Sequence, residues 1–229
     1  MRLALIFLTL AFFARAAVAV EPYTCRNGFF PSHAGKIGAG EIVAAVGEQV
    51  FFRDDAGGCP EAQSCRRKSY VVNKDKLLLA QTDGGWVCAW FTGRRGETVG
   101  WLPADKVKPA AASDAVPGAQ DWIGKWVGVM GGEEIRIRAD GKGGLIAQGA
   151  AEWHGGRAAD GFEVVHTGEF DEAAIPRGNL LQVGDEKEEY ACVVRMQRVG
   201  DSLVATDNTY CGGVNVRFDD VYVRAGSRR

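Results

Sequence analysis

The six cysteines constrain this chain more than any other feature. Cys25, Cys59, Cys65 and Cys88 precede the stretch KVKPAAASDAVPGAQDW, Lys106 to Trp122, and Cys192 and Cys211 follow it. That stretch is rich in Ala, Pro, Ser and Gly and has neither a helical nor a strand period, so it reads as a linker, with its core at 110–121. Six cysteines allow fifteen connectivities, but pairing within each half leaves three, all containing Cys192–Cys211. Of these the most local joins Cys59 to Cys65 across CPEAQSC and leaves Cys25 to tie the N-terminal extension to Cys88; the pairing among the first four stays open. On the chain-entropy account the Cys192–Cys211 loop is worth about 3 kcal/mol and a Cys25–Cys88 loop about 4 kcal/mol. There is no C-x-x-C and the histidines are scattered at 33, 154 and 166, so no metal or cofactor is expected.

Disulfides imply an oxidising compartment, and the N-terminus agrees. MRLALIFLTLAFFARAAVAVEPY carries an apolar run from Leu3 to Phe13 and then Ala17-Val18-Ala19, the pattern of a secretory signal over residues 1–19. The run is shorter than the roughly 20 residues a bilayer span needs, and Pro22-Tyr23-Thr24 before Cys25 is not a lipidation signal. The expectation is a soluble periplasmic or secreted protein. The formal net charge is −2, and beyond Arg94-Arg95 and the terminal Arg228-Arg229 there is no basic run. The clustered cations of a nucleic-acid interface are therefore missing.

Apolar residues come in short runs: QVFF, YVV, LLLA and WVCAWF before the linker, then KWVGV, EEIRIRA, FEVV, YACVV, SLVAT and VNVRF after it. Gly or Asp punctuates nearly all of them and no amphipathic stretch reaches helical length. An all-β chain is expected, with a first module at 20–109 and a second, a small antiparallel barrel or sandwich, at 122–229. In EEIRIRAD, Ile135 and Ile137 alternate with Arg136 and Arg138, which marks a strand with one solvated face.

In the first module Trp86 opens the strand WVCAWF, Ala89 follows three places later, and the next strand ends in Gly100-Trp101-Leu102-Pro103. Over about residues 46–109 this order resembles a bacterial SH3-like domain. The resemblance implies a small barrel whose ligand-binding Trp and Pro are Trp86 and Pro103, and a ligand that is an envelope peptide, a peptidoglycan stem or a protein partner. Lys106 stands where that family usually carries the Tyr that completes a groove for proline-rich ligands. Alternation alone places Trp86, Cys88 and Trp90 on one face and the small Val87 and Ala89 on the other, inside the barrel. Trp86 and Trp90 then point outward together, into an open groove or beneath the Cys25 extension. Of Phe51 and Phe52 one should be core and one exposed. The candidate ligand-binding residues are Trp86, Trp90, Pro103 and Phe52.

In the second module Gly200-Asp201-Ser202-Leu203 has the letters that open the nucleophile block of a class of serine esterases. Here they lie between two strand-like segments near the C-terminus, and no histidine follows His166 to serve as a downstream base. Gly200-Asp201 fits a type II′ hairpin turn, with Ser202 opposite Val199. That register sets Cys192 opposite Thr209, so a bend through DNTYCGG must bring Cys211 back to it. Asp140-Gly141-Lys142-Gly143-Gly144 lacks the spacing of a calcium or phosphate loop and reads as another turn. AAEWHGGRAADG and DEAAIPRGNLLQVGDEKE read as irregular segments. Glu152 with His154, and His166 with Glu169, have no nucleophile beside them, and His166 reads as a semi-buried, satisfied side chain. Glu133-Glu134 and Asp219-Asp220 are adjacent pairs on opposite strand faces and read as solvated edges. No catalytic residue is expected.

The tail DNTYCGGVNVRFDDVYVR, through Cys211-Gly212-Gly213, Asn215-Val216, Phe218 and Tyr222, resembles the end of exported LprI-type lysozyme-inhibitor proteins and of other periplasmic proteins, with Asp220 in place of a Gly. The sequence thus points to a non-enzymatic binding protein of the cell envelope. An inhibitor of an envelope or host hydrolase, or less readily an envelope hydrolase, is the alternative.

Overall fold

A computed structural model describes residues 24–93, 96–111, 116–159 and 161–226; the signal-peptide reading falls outside them. The fold is all-β, as two antiparallel sheets. The first contains β1 (Gly38–Ile42), β2 (Val50–Arg53), β3 (Arg66–Val71), β4 (Lys76–Asp83), β5 (Trp86–Gly93), β6 (Gly96–Pro103) and β7 (Val107–Pro109), in the order β3-β2-β6-β5-β4-β1-β7. Its inner face buries Ile42, Phe52, Leu77, Val87, Ala89 and Leu102 in one cluster. The small Val87-x-Ala89 pair lies on the barrel side of β5, as its alternation dictates.

The second sheet follows a one-turn helix, α1 (Ala119–Trp122). It contains β8 (Gly124–Gly128), β9 (Glu133–Ala139), β10 (Leu145–Arg157), β11 (Glu163–Ala174), β12 (Leu180–Val183), β13 (Val194–Val199), β14 (Ser202–Asp207) and β15 (Asp220–Arg224). The order β11-β10-β9-β8-β15-β14-β13-β12 is an up-and-down meander whose last strand pairs with its first. The sheet curls until β11 meets the opposite edge, where Gly168 bridges Gly212 and the Gly184 amide donates to Glu172 Oε2 at 2.8 Å. Trp126, Ile135, Ile137, Phe170, Phe218 and Tyr222 fill the interior. At one end two guanidinia lie against the Trp126 ring, Arg198 at 4.6 Å and Arg224 at 4.4 Å from its centroid. Arg224 also donates to the Ile123 and Asp121 carbonyls and so ties β15 to α1.

The disulfides are Cys25–Cys88, Cys59–Cys65 and Cys192–Cys211, the most local of the three pairings. Val199 pairs with Ser202, and Gly200 takes φ 56° while Asp201 keeps a negative φ, as a II′ turn requires. The bend that returns Cys211 to Cys192 passes through Thr209 at φ 71°.

Several segments differ from expectation. VNVRF is not a strand: Asn215 takes φ 68°, and the chain bonds to carboxylates instead of a neighbouring strand, with the Phe218 amide donating to Asp207 Oδ2 at 2.5 Å. Val216 and Phe218 nevertheless reach the core. AAEWHGGR belongs to the outer end of β10, with an irregularity of register only between His154 and Arg157, where Gly156 takes φ 84°, and Leu180–Val183 within the expected loop forms β12. The linker is shorter than its composition suggests, because Val107–Pro109 is strand and Ala119–Trp122 is helix.

Candidate functional site

The face of β5 that carries Trp86, Cys88 and Trp90 decides whether the first module has a groove. Cys88 is bonded to Cys25, which draws the N-terminal segment and its 3-10 turn Phe30–His33 across this face. Trp90 is only 4% exposed, and its Nε1–H donates to Glu97 Oε2 at 2.8 Å. Trp101 of β6 is buried beside it and donates to Asp55 Oδ1 at 2.8 Å; the other oxygen of Asp55 accepts the Cys25 amide.

The cover has a second layer. Phe30, Ile37, Trp90 and Trp101 belong to one buried cluster with Val199, Val204 and Val221, which project from the outer face of β13, β14 and β15. The N-terminal segment is thus clamped between the two sheets. Gln197 fixes it there: its Oε1 accepts the Gly35 and Ile37 amides at 2.7 and 3.1 Å, and its Nε2 donates to the Ile37 carbonyl at 2.8 Å. One buried amide side chain satisfies three main-chain groups that would otherwise be stranded in an apolar seam.

Of the expected ligand-binding residues, two are therefore corrected. Trp90 is core of the inter-module seam. Phe52, fully buried, is core of the first module because β2 turns Val50 and Phe52 inward; Phe51 is the outer of the pair, with the Arg66 guanidinium 3.6 Å from its ring centroid and Tyr70 at 5.6 Å. Trp86 and Pro103 remain half-open and stand directly opposite each other in the β5–β6 register. The Arg53 guanidinium lies 4.8 Å from the Trp86 ring and donates to the Pro60 and Ala62 carbonyls, so that the Cys59–Cys65 loop, Trp86 and Pro103 form one rigid strip.

The inner face of the second sheet also holds a carboxyl pair that sequence adjacency hid, on the side of β9 and β15 that carries Ile135 and Tyr222. Asp220 of β15, expected on a solvated edge, is 1% exposed and hydrogen-bonded to Glu133 of β9, with its Oδ2 accepting the Met130 amide at 2.8 Å. Neither Glu133-Glu134 nor Asp219-Asp220 is the working pair; one member of each meets the other across β8. Gly128 makes room for them, since a Cβ there would lie 2.5 Å from Asp220 Oδ2 and 2.9 Å from Glu133. Glu97 of the first module lies within electrostatic reach of Asp220. Burial, reinforced by the bond to Asp220 and its charge, pushes the Glu133 carboxyl up to about 9, and burial also raises Glu97, Asp219 and Asp220. A carboxyl whose folded pKa exceeds its unfolded value favours folding below the unfolded value, here 4.5, and loses that contribution as pH rises towards about 9. Glu133→Gln keeps a donor for Asp220 without an ionisable group. The variant is expected to match the parent in stability near pH 4.5 and to exceed it by on the order of 1–2 kcal/mol at pH 9, allowing for solvent that reaches Glu133. Urea titrations at the two pH values measure this, and a gap that does not widen with pH would contradict it.

The remaining polar candidates sit on the second barrel. His154 is exposed between Glu163 at 2.8 Å and Glu152 at 3.5 Å, and the bond to Glu163, then the charge of both, raises its pKa. His166 is half-buried, as expected, with its ring 5.3 Å from Trp153 and its Nδ1 bonded to the Val214 carbonyl at 2.6 Å. Ser202 is a hairpin residue whose carbonyl accepts from Arg198. Among the described residues no group of three or more His, Cys, Asp or Glu side chains is placed to hold a metal. Compared with protein-family models, with curated proteins and with solved structures, the chain matches none.

Proposed function

We propose that the protein is a non-catalytic binding protein of the cell envelope, and that its first module takes a peptide, a peptidoglycan stem or a protein segment along the Trp86–Pro103 strip. The observation that carries this reading is the pairing of Trp86 with Pro103 at the half-open rim of β5 and β6, where Trp86 packs with one side on the seam cluster and has the Arg53 guanidinium against its ring. A rigid aromatic next to a proline offers large contact area at small entropic cost. Three disulfides support an oxidising compartment, and among the described residues no helix is long and apolar enough to cross a membrane.

Trp86→Ala should lower affinity for an envelope partner or isolated peptidoglycan by about thirtyfold, about 2 kcal/mol, while shifting the melting temperature little. Val87→Ala, on the buried face of the same strand, should do the reverse, with a loss of about 2 kcal/mol of stability and unchanged affinity in the folded fraction. If Trp86→Ala left binding intact, the strip would not be the site.

One observation favours the inhibitor alternative. From His154 to Arg157, β10 pairs with β11 alone, so a two-stranded hairpin projects beyond Trp153, which packs on the core, by roughly 10 Å. A projecting hairpin of this kind suits insertion into an enzyme cleft, and loss of inhibition on its deletion, with Trp86→Ala silent, would select that reading.

A further inference from the structure

The segments 129–132, 158–159, 161–162, 184–193 and 208–219 all lie at one end of the second barrel, because its strands run up and down in sequence. That end concentrates exposed apolar side chains: Tyr190 is 67% exposed, Tyr210 52% and Val214 70%, and Met130 and Phe162 emerge from neighbouring loops. Tyr190 and Tyr210 come from different loops, yet their rings meet edge to face at 5.4 Å.

The backbone beneath them is held in an uncommon conformation. Of the four non-glycine residues with positive φ among the described residues, three are here: Tyr190 at 66°, Thr209 at 71° and Asn215 at 68°. Such conformations cost energy and persist only when their surroundings fix them. Asn208 supplies that fixing: Oδ1 accepts the Val193 and Tyr210 amides, and Nδ2 donates to the Ala191 carbonyl at 2.7 Å. The Cys192–Cys211 bond closes the same knot. Two tyrosines are thus displayed on a rigid base instead of being packed away, although the interior of the barrel lies directly below.

The charge around them is predominantly negative, and two of the cations at this end are already paired, Arg195 with Glu186 and Arg217 with Asp207 and Asp219. Asp185, Glu186, Glu188 and Glu189 immediately precede Tyr190 and are all exposed; Lys187 is the one cation among them, and the segment's only ion pair among the described residues is Glu186 with Arg195 at 2.7 Å. Exposed Glu163 on the projecting hairpin and Glu152 at its base flank His154 at this end. An aromatic pair rimmed by carboxylates is complementary to a cationic segment that carries an apolar side chain among its basic residues: the acids steer and orient it, and the tyrosines anchor it.

We propose that this loop end is a docking surface for a cationic, apolar-bearing segment of a partner protein, with Tyr190, Tyr210 and Val214 as the anchor and Asp185, Glu188 and Glu189 as the charged rim. The proposal rests on the reading of the molecule as a binding protein but is independent of the Trp86 strip. It is tested with the full chain over immobilised short peptides of alternating Arg and Leu, Arg and Ser, and Glu and Leu. The Arg/Leu peptide should bind about tenfold tighter than Arg/Ser, with affinity falling as salt rises, and Glu/Leu should not bind. Tyr190→Ala with Tyr210→Ala should abolish the preference for Leu. Glu188→Lys with Glu189→Lys should weaken both Arg peptides. Equal binding of Arg/Leu and Arg/Ser, or no binding of either, would overturn the proposal. So would a concentration-dependent dimer of the parent chain, in analytical ultracentrifugation, that the double Tyr variant loses, because the occupant would then be a second copy. None of these outcomes bears on the Trp86 strip, which the peptidoglycan and partner assays test separately.

Discussion

Trp90→Ala should destabilise the protein by about 3–5 kcal/mol and, unlike an ordinary core truncation in one module, should reach both. Trp90 is anchored through Nε1–H to Glu97 and packs in the cluster to which both sheets and the N-terminal segment contribute. Its removal opens a cavity against Val204 and Val221 of the second barrel and strips cover from Phe30 and Ile37, while leaving Glu97 without its indole donor. The parent should unfold in denaturant as one cooperative transition. The variant should unfold earlier and separate into two phases, the second barrel outlasting the first. Tryptophan fluorescence together with hydrogen exchange resolves the two: β4 and β5 should lose protection before β9 and β13. A loss below about 1 kcal/mol would mean that the seam is not a true core.

The contrast with Trp86, on the same face of the same strand, shows what the sequence could and could not reveal. Period-two reasoning assigned Val87 and Ala89 to the barrel interior and the tryptophans to the other face, and both assignments agree with the burial of Val87 and Ala89 in the first core and of Trp90 in the seam. What covers a strand's second face is not written in that strand. Here the cover comes from Val199, Val204 and Val221, more than a hundred residues later, and from a glutamine, Gln197, whose side chain mimics a strand edge for Gly35 and Ile37. No local period marks such a residue. A buried polar residue inside the run VRMQRV was the available hint. The disulfides were legible because locality and parity restrict the choices strongly. The carboxyl pair was not, because Glu133 and Asp220 are far apart in the chain and meet only through Gly128 on a third strand. VNVRF misled for a related reason: its alternation is real, and Val216 and Phe218 do face inward, but their amides bond the Gly213 carbonyl and the Asp207 carboxylate, at 3.1 and 2.5 Å, where a partner strand would have accepted them.

Replacing Cys192 and Cys211 together by Ser should cost about 3 kcal/mol, from the chain entropy of a loop with a separation of 19 residues. Cys211 is buried within the second barrel, so the loss begins there. Were the modules independent, it would end there. Because β13, β14 and β15 form one wall of the seam, partial opening of the second barrel uncovers Phe30 and Trp90, and the first module should lose stability with it. Hydrogen exchange of the double variant should therefore rise in the N-terminal segment 24–37 as well as around β13 and β14. Unchanged exchange in that segment would show that the two barrels open separately.

The central claim, that the N-terminal segment and the two sheets share one core, is tested most directly by cutting the covalent link between the sheets. A protease site introduced into the linker allows cleavage of the folded protein between residues 110 and 118. The account predicts that the two fragments stay together in size-exclusion chromatography at native pH and micromolar concentration, held by the buried cluster and the Gln197 bonds, and come apart in the Trp90→Ala background. Fragments of the parent protein that separate on cleavage, each still folded, would contradict it.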